Sequence, residues 1–341
     1  MIDFNKLRQT RGNNTAALQR SLEKTEGGYQ EDPRIWKYTR NAEKNISVNT
    51  IRLLPIGAAD FKLVEEGRFK EEDLTPMVKI LKHQFQGPKG WLVSNSPQTF
   101  GEDDPISEWS RPQWAAIKGK DKEDPVVKAE RERLKEFIPS SEYYANILVI
   151  KDAQKPEFNG QVKLFKFGEA FRKFIDTASN PQFDNEVKFD PFDMWDGANI
   201  ELNLTFEARK FKGRDSFVPK WEKVKWADRA PLGDEDFMQE IWNKQHSLLE
   251  FLDRKNFMSY DDLKAKFHKV MGMDENGNPT APGSTLGKTA GQFLEQKPAA
   301  AAAPVAASAP APAAAASAPA ATPAPAAGGD ELAALEALLA G

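Results

Sequence analysis

Cysteine is absent from this chain of 341 residues. That removes disulfides, thiolate metal sites and cysteine nucleophiles together. Histidine is scarce, with His83, His246 and His268 standing far apart. No apolar run is long enough to span a bilayer. The segment from Met1 to Lys6 lacks the apolar core of a signal peptide, so a soluble, cytoplasmic protein with no membrane partner is expected. The phosphate-binding G-x-x-x-x-G-K-[ST] loop, the G-x-S-x-G elbow and the H-E-x-x-H helix are all missing, so no enzyme is expected. Asp190 and Asp193 form an ordinary loop pair, and Asp274 to Asn278 reads as a turn, because Pro279 stands where a calcium loop needs glycine. Charge of one sign is lacking too: 47 Lys/Arg face 51 Asp/Glu, for a net charge of −4. Affinity for a charged partner must then come from local segregation.

Segregation of that kind is found in one stretch, Ala198 to Trp226. Ile200, Leu202, Leu204 and Phe206 alternate with Glu201, Asn203, Thr205 and Glu207, the period of a strand with one buried face. From Phe206 to Trp226 seven cations (Arg209, Lys210, Lys212, Arg214, Lys220, Lys223, Lys225) stand against three acids. Phe206, Phe211, Phe217, Trp221 and Trp226 are interleaved with them. Cations neutralise phosphates and flat rings stack on bases. The same pattern also describes a core strand with a solvated face.

The remaining chain reads as support. Residues 1–28 form a basic arm with Lys6, Arg8 and Arg11, whose short apolar stripe is too small to fold alone. Strands are expected near 48–55, 77–85, 91–93, 143–151 and 162–168, the last carrying Lys163 and Lys166 beside rings. Residues 94–124 look irregular. Helices are expected from Pro125 to Pro139, from Glu169 to about Ala178, from Asp234 through Leu252, and from Ser259 to Gly272. Short strands with interposed helices predict an α+β fold: an oligonucleotide-binding (OB)-type β-barrel core with added helices, bearing a flexible N-terminal arm and a disordered C-terminal tail. The core is placed at 29–272, followed by a polar linker at 273–297 and an Ala/Pro-rich tether at 298–329. The last segment, 330–341, carries Asp330, Glu331 and Glu336 with Leu335, Leu338 and Leu339, an acidic-leucine bait for partner proteins.

The run Tyr143 to Asp152, then Gly160 to Gly168, Trp195 to Asn199, and Phe257 to Gly272 resembles the single-stranded DNA-binding (helix-destabilising) proteins of T-even bacteriophages. Ile51 to Pro55 and Thr15 to Leu18 are similar as well, in the same order. The resemblance implies cooperative, sequence-tolerant binding of single-stranded DNA in phage replication, recombination and repair, in the cytoplasm of the infected host. It places Tyr143, Tyr144 and Phe165 among the aromatics of the DNA cleft, Lys166 beside them, and Trp91 in the same lobe. It makes Lys6, Arg8, Arg11 and Thr15 the arm through which neighbours self-associate on DNA. The tail would recruit a polymerase, a helicase loader or a recombinase. The family's structural zinc uses one histidine and three cysteines. Only His83 stands at such a position, with Ser96 and the region Asp104 to Ser107 at the others, so no zinc is expected and packing around Trp109 and Trp114 would replace it. Taken together, phosphates are expected at Lys163, Lys166, Arg209, Lys210, Lys212 and Arg214, and bases at Tyr143, Tyr144, Phe165, Phe211 and Trp221. A scaffold protein with no nucleic acid, and an RNA-binding OB module, are the competing readings.

Overall fold

The computed structural model describes residues 32–183, 187–211 and 214–278. The arm, the tether and the tail, with Lys6, Arg8, Arg11, Thr15 and every tail residue named above, lie outside them. The chain divides into two compact units. The first comprises the chain up to Ile80 together with Ser141–Asp253; the second comprises Leu81–Ser140 and the chain from Arg254. Among the described residues there are six α-helices, none long and apolar enough to cross a membrane.

The first unit is built on β1 (Ile35–Trp36), β2 (Ile46–Leu53), β5 (Ser140–Asp152), β6 (Val162–Phe167), β7 (Ala198–Phe211) and β8 (Arg214–Arg229). Their order is β1-β6-β5-β2-β7-β8, with β1 and β6 parallel and the other neighbours antiparallel. One face carries the main core: Ile51 and Leu53, the residues Tyr143, Ala145, Ile147 and Val149 of β5, Phe165 and Phe167, and Ile200, Leu202 and Leu204. The alternation read from the sequence around Ile200 is this face. Helix α4 (Glu169–Ser179) covers it through Phe171 and Ile175. On the opposite face, helix α5 (Glu235–Lys244) contributes Met238 and Ile241, packed with Leu54, Leu148 and Met194.

The expected barrel is not closed. The strand order ends at β1 and β8, and among the described residues no ladder joins them. β1 is only two residues long, and the chain beyond it meets β8 through rings, Tyr38 against Trp221 at 5.9 Å between centroids. The architecture is therefore an α+β unit with an open, helix-covered sheet.

Buried carboxylates staple this unit. Asp60, in helix α1 (Ala58–Glu65), accepts Ser247 Oγ at 2.6 Å and the backbone N–H groups of Leu248 and Leu249. Asp152 accepts the indole N–H of Trp36 at 2.9 Å and the N–H groups of Gln154 and Lys155. Arg52 is buried as well and donates through Nη2 to the carbonyls of Asp193 and Ala230. Both carboxylates are fully engaged, as burial demands, while Arg52 is satisfied through Nη2 and keeps a buried Nε without a partner.

The second unit pairs residues 82–87 of β3 (Met77–Gly87) with β4 (Gly90–Asn95) and packs α2 (Pro105–Ile117), α3 (Pro125–Lys135) and α6 (Tyr260–Met271) on them. Its core joins Phe85, Leu92, Ile106, Leu134, Phe137, Leu263 and Phe267, with Trp109 and Trp114 against it. The stretch 94–124, expected to be irregular, contains α2. Its start carries a helix signature, Asp104 as N-cap with Pro105 at N1, and Pro112 inside the helix masks the pattern. The helix expected from Asp234 through Leu252 ends instead at Lys244, with a separate 3-10 turn at Leu249–Leu252. Ser259 caps α6, and Gly272 ends it in the left-handed conformation at φ 68°.

Candidate nucleic-acid interface

β7 and β8 are longer than the sheet that carries them. β2 pairs with β7 only from Ile51↔Ile200 to Ile46↔Thr205. Beyond Thr205 the two strands continue as a ribbon of their own to the pair Phe211↔Arg214. Cross-strand partners share a face, so the ribbon sorts its side chains. Thr205, Glu207 and Arg209 lie on one face with Lys220, Val218 and Ser216. Phe206, Ala208 and Lys210 lie on the other with Pro219, Phe217 and Asp215. The register shift between Asn203 and Thr205 adds a residue on β8, which places Lys223 and Lys225 on the face of Asn203 and Glu201.

The face of Phe206 continues the hydrophobic core outward. Tyr38 packs on Phe206 at 6.2 Å and on Trp221 at 5.9 Å, and Trp221 in turn meets Phe171 at 5.6 Å. Arg40 then lies over the ring of Phe217, its guanidinium carbon 3.6 Å from the centroid, while that ring stays 40% exposed. Contacts of this type contribute about 0.5–1 kcal/mol at exposed sites. On the other face Glu207 accepts both Lys220 at 2.9 Å and Arg209 at 3.3 Å. Its carboxyl is held below the usual carboxylate range by the hydrogen bond and charge of Lys220, then by Arg209. Lys225 pairs with Glu201 at 3.2 Å, whereas Lys210 and Lys223 make no ion pair among the described residues. The ribbon thus carries exposed cations on both faces and a strip of rings along one.

The residues singled out from the sequence do not gather in one place. Arg209, Lys210 and Trp221 share the ribbon, with Trp221 half-buried against the core. Lys212 and the side chains of Phe211 and Arg214 lie outside the described residues. Phe165 is 1% exposed, enclosed by Trp36, Phe167 and Phe171, so its faces are taken by neighbouring rings. Tyr143 and Tyr144 point to opposite faces of β5, as consecutive strand residues must. Tyr143 is buried in the main core and donates to Glu169 at 2.7 Å. Burial, and then that carboxylate, push its phenol up to about 12. Tyr144 stacks on Phe251 with centroids 4.3 Å apart and donates to Glu142. Lys166, opposite Tyr144, pairs with the same Glu142 at 2.7 Å. Lys163 lies on the other face of β6, near the Phe158 ring. Trp91, in β4 of the second unit, is 56% exposed. Sequence reasoning missed Tyr38 and Arg40, which no local pattern ties to the ribbon. It also missed Trp195, 62% exposed within the recognised Trp195 to Asn199 run.

Residues 45–271 match the family model described as gp32 DNA binding protein like. The chain belongs to this family. The gp32-like match runs from β2, the strand beside the ribbon's own, to the end of α6. The chain is also similar to the single-stranded DNA-binding protein of Enterobacteria phage T2, with 26% identity over 275 residues, 78% of this chain and 80% of that protein. It is similar to the protein of the same description from Enterobacteria phage T4, with 26% identity over 274 residues, covering 78% and 79%. Both relatives are described by binding, not by a reaction.

Proposed function

We propose that this chain binds single-stranded DNA without sequence preference and that the β7–β8 ribbon is a principal part of its binding surface. The observation that carries this reading is the exposed ring of Phe217 under Arg40, with Lys210 on the same face and Arg209, Lys220 and Lys223 on the other, on a β7–β8 pair that projects past its sheet. Cations meet phosphates, and an exposed ring offers stacking of about 1–3 kcal/mol per base to any base. A duplex, whose bases already stack on each other, gives such a ring nothing to bind. Phe211, Lys212 and Arg214 keep the roles their sequence suggests, with their side chains outside the described residues, and Trp91, Lys163, Lys166 and Tyr144 belong to further contacts. Tyr143, Trp221 and Phe165 support it from the core. We read the first unit as an open relative of the OB type, with its ligand on the sheet's extension.

In this reading the setting is replication, recombination and repair of phage DNA in the infected host. The arm with Lys6, Arg8, Arg11 and Thr15 makes binding cooperative, and the tail from Asp330 captures replication proteins. Titrating the protein with poly(dT), with poly(U) and with duplex DNA at two salt concentrations, while following tryptophan fluorescence, tests the function. Quenching by poly(dT), weakened by salt and absent with duplex, is expected. An equal response to duplex would reduce the surface to a phosphate binder. Stronger binding of poly(U) would make RNA the ligand, and silence with all three would return the ribbon to a scaffold role.

A further inference from the structure

The zinc implied for relatives does not fit the residues that stand in its place. Zinc takes thiolate, imidazole and carboxylate ligands, with four usual in a structural site. Here His83 on β3, Ser96 after β4 and Asp104 at the head of α2 converge, each no more than 1% exposed. They converge on a carboxylate. Asp104 Oδ2 accepts from Ser96 Oγ at 2.5 Å and lies 2.9 Å from His83 Nε2. Oδ1 accepts the backbone N–H groups of Ile106 at 2.9 Å and Ser107 at 3.1 Å. To donate to Asp104, Nε2 must carry a proton, so the nitrogen that faces Ser96 and Asp104 has no lone pair to offer a metal, and only Nδ1 could keep one. Nδ1 of His83 is buried without a partner, and among the described residues no group of three or more His, Cys, Asp or Glu is placed to hold a metal.

We propose that Asp104 is the structural substitute for the relatives' metal: an anionic hub that ties β3, the segment after β4 and the first turn of α2 at one buried point, so that the second unit is stable without a bound ion. The chemistry is inverted. A cation held by electron-pair donors becomes an anion held by four hydrogen-bond donors, two from side chains and two from a helix N-terminus, where the dipole favours negative charge. Removing the anion leaves those donors buried and unpaired, which is the costly outcome for a hydrogen-bonded core.

The full chain tests this directly. Metal content is measured after purification, and thermal unfolding is followed through tryptophan fluorescence with excess EDTA and with added zinc. Zinc well below one per chain and a Tm that neither treatment moves are expected. Asp104→Asn keeps the shape and removes the charge; its second-unit transition is expected to fall by about 5–10 °C, with no recovery on adding zinc. Ser96→Ala removes one donor and should fall by about 2–4 °C. It decides the matter if the Asn variant does not fold. One zinc per chain, a chelator-sensitive Tm, or Ser96→Ala melting with the parent would each overturn the proposal.

Discussion

Gly197 shows how tightly single residues constrain the first unit. A Cβ built there would stand 2.2 Å from the carbonyl oxygen of Asp193 and 2.9 Å from Nη2 of Arg52. The same carbonyl accepts that guanidinium, whose charge burial disfavours. Gly197→Ala is therefore expected to destabilise the first unit by about 1–3 kcal/mol, as overpacking does, and denaturant unfolding would register the loss. Tyr143 adds a pH dependence. Its pKa of about 12 exceeds the ordinary phenol value near 10, so its contribution is intact below pH 10 and is lost as the pH climbs toward 12. Tyr143→Phe should remove that portion of the alkaline instability, seen by comparing unfolding with the 295 nm phenolate absorbance. Tyr260, also near 12 beside Glu108, belongs to the second unit and serves as an internal reference in the absorbance titration. At this scale the sequence was partly opaque. Nothing local announces that Asp104, Asp60 and Arg52 are buried, because donors and acceptors that receive them stand far away in the chain.

Elements were more legible than the residues they present. The period of two around Ile200 and Tyr143, and the caps at Asp234 and Ser259, marked real strands and helix starts because each signal is local. Helix α2 is hidden by the polar, loop-like run that leads into it and by Pro112 within it, although Pro105 sits at N1, where proline fits. The ribbon was visible as composition but not as shape. Only the register with β2 reveals that β7 and β8 outrun their sheet and bring Arg40 over Phe217. For the same reason Tyr143 and Tyr144, adjacent in sequence, are separated by the strand between them. The element-level prediction is that Phe217→Ala weakens binding of single strands by about 1–3 kcal/mol while leaving the melting temperature near the parent's. Fluorescence anisotropy with a labelled dT oligomer, paired with a thermal scan, checks both halves.

On the scale of the whole molecule, the family match over residues 45–271 takes in sequence from both units, each with a core of its own, and the roles proposed for the arm and the tail fall on segments outside the described residues. Deleting residues 1–28 should lower cooperativity on long strands more than affinity for a short oligomer. Cutting after Gly329 should spare DNA binding and abolish capture of replication proteins. Titrations on poly(dT) and pull-downs with the truncated chains report these outcomes. The central claim, that the ribbon meets the phosphates of a single strand, has a more direct test. Arg209, Lys210, Lys220 and Lys223 are replaced together by Gln, and affinity for a dT oligomer is measured across a salt series. Each lost phosphate contact should flatten the log–log salt slope by about 0.7, so the account predicts a weaker-binding protein with a markedly shallower slope. A variant that keeps the parent's affinity and slope would place the DNA elsewhere and contradict the account.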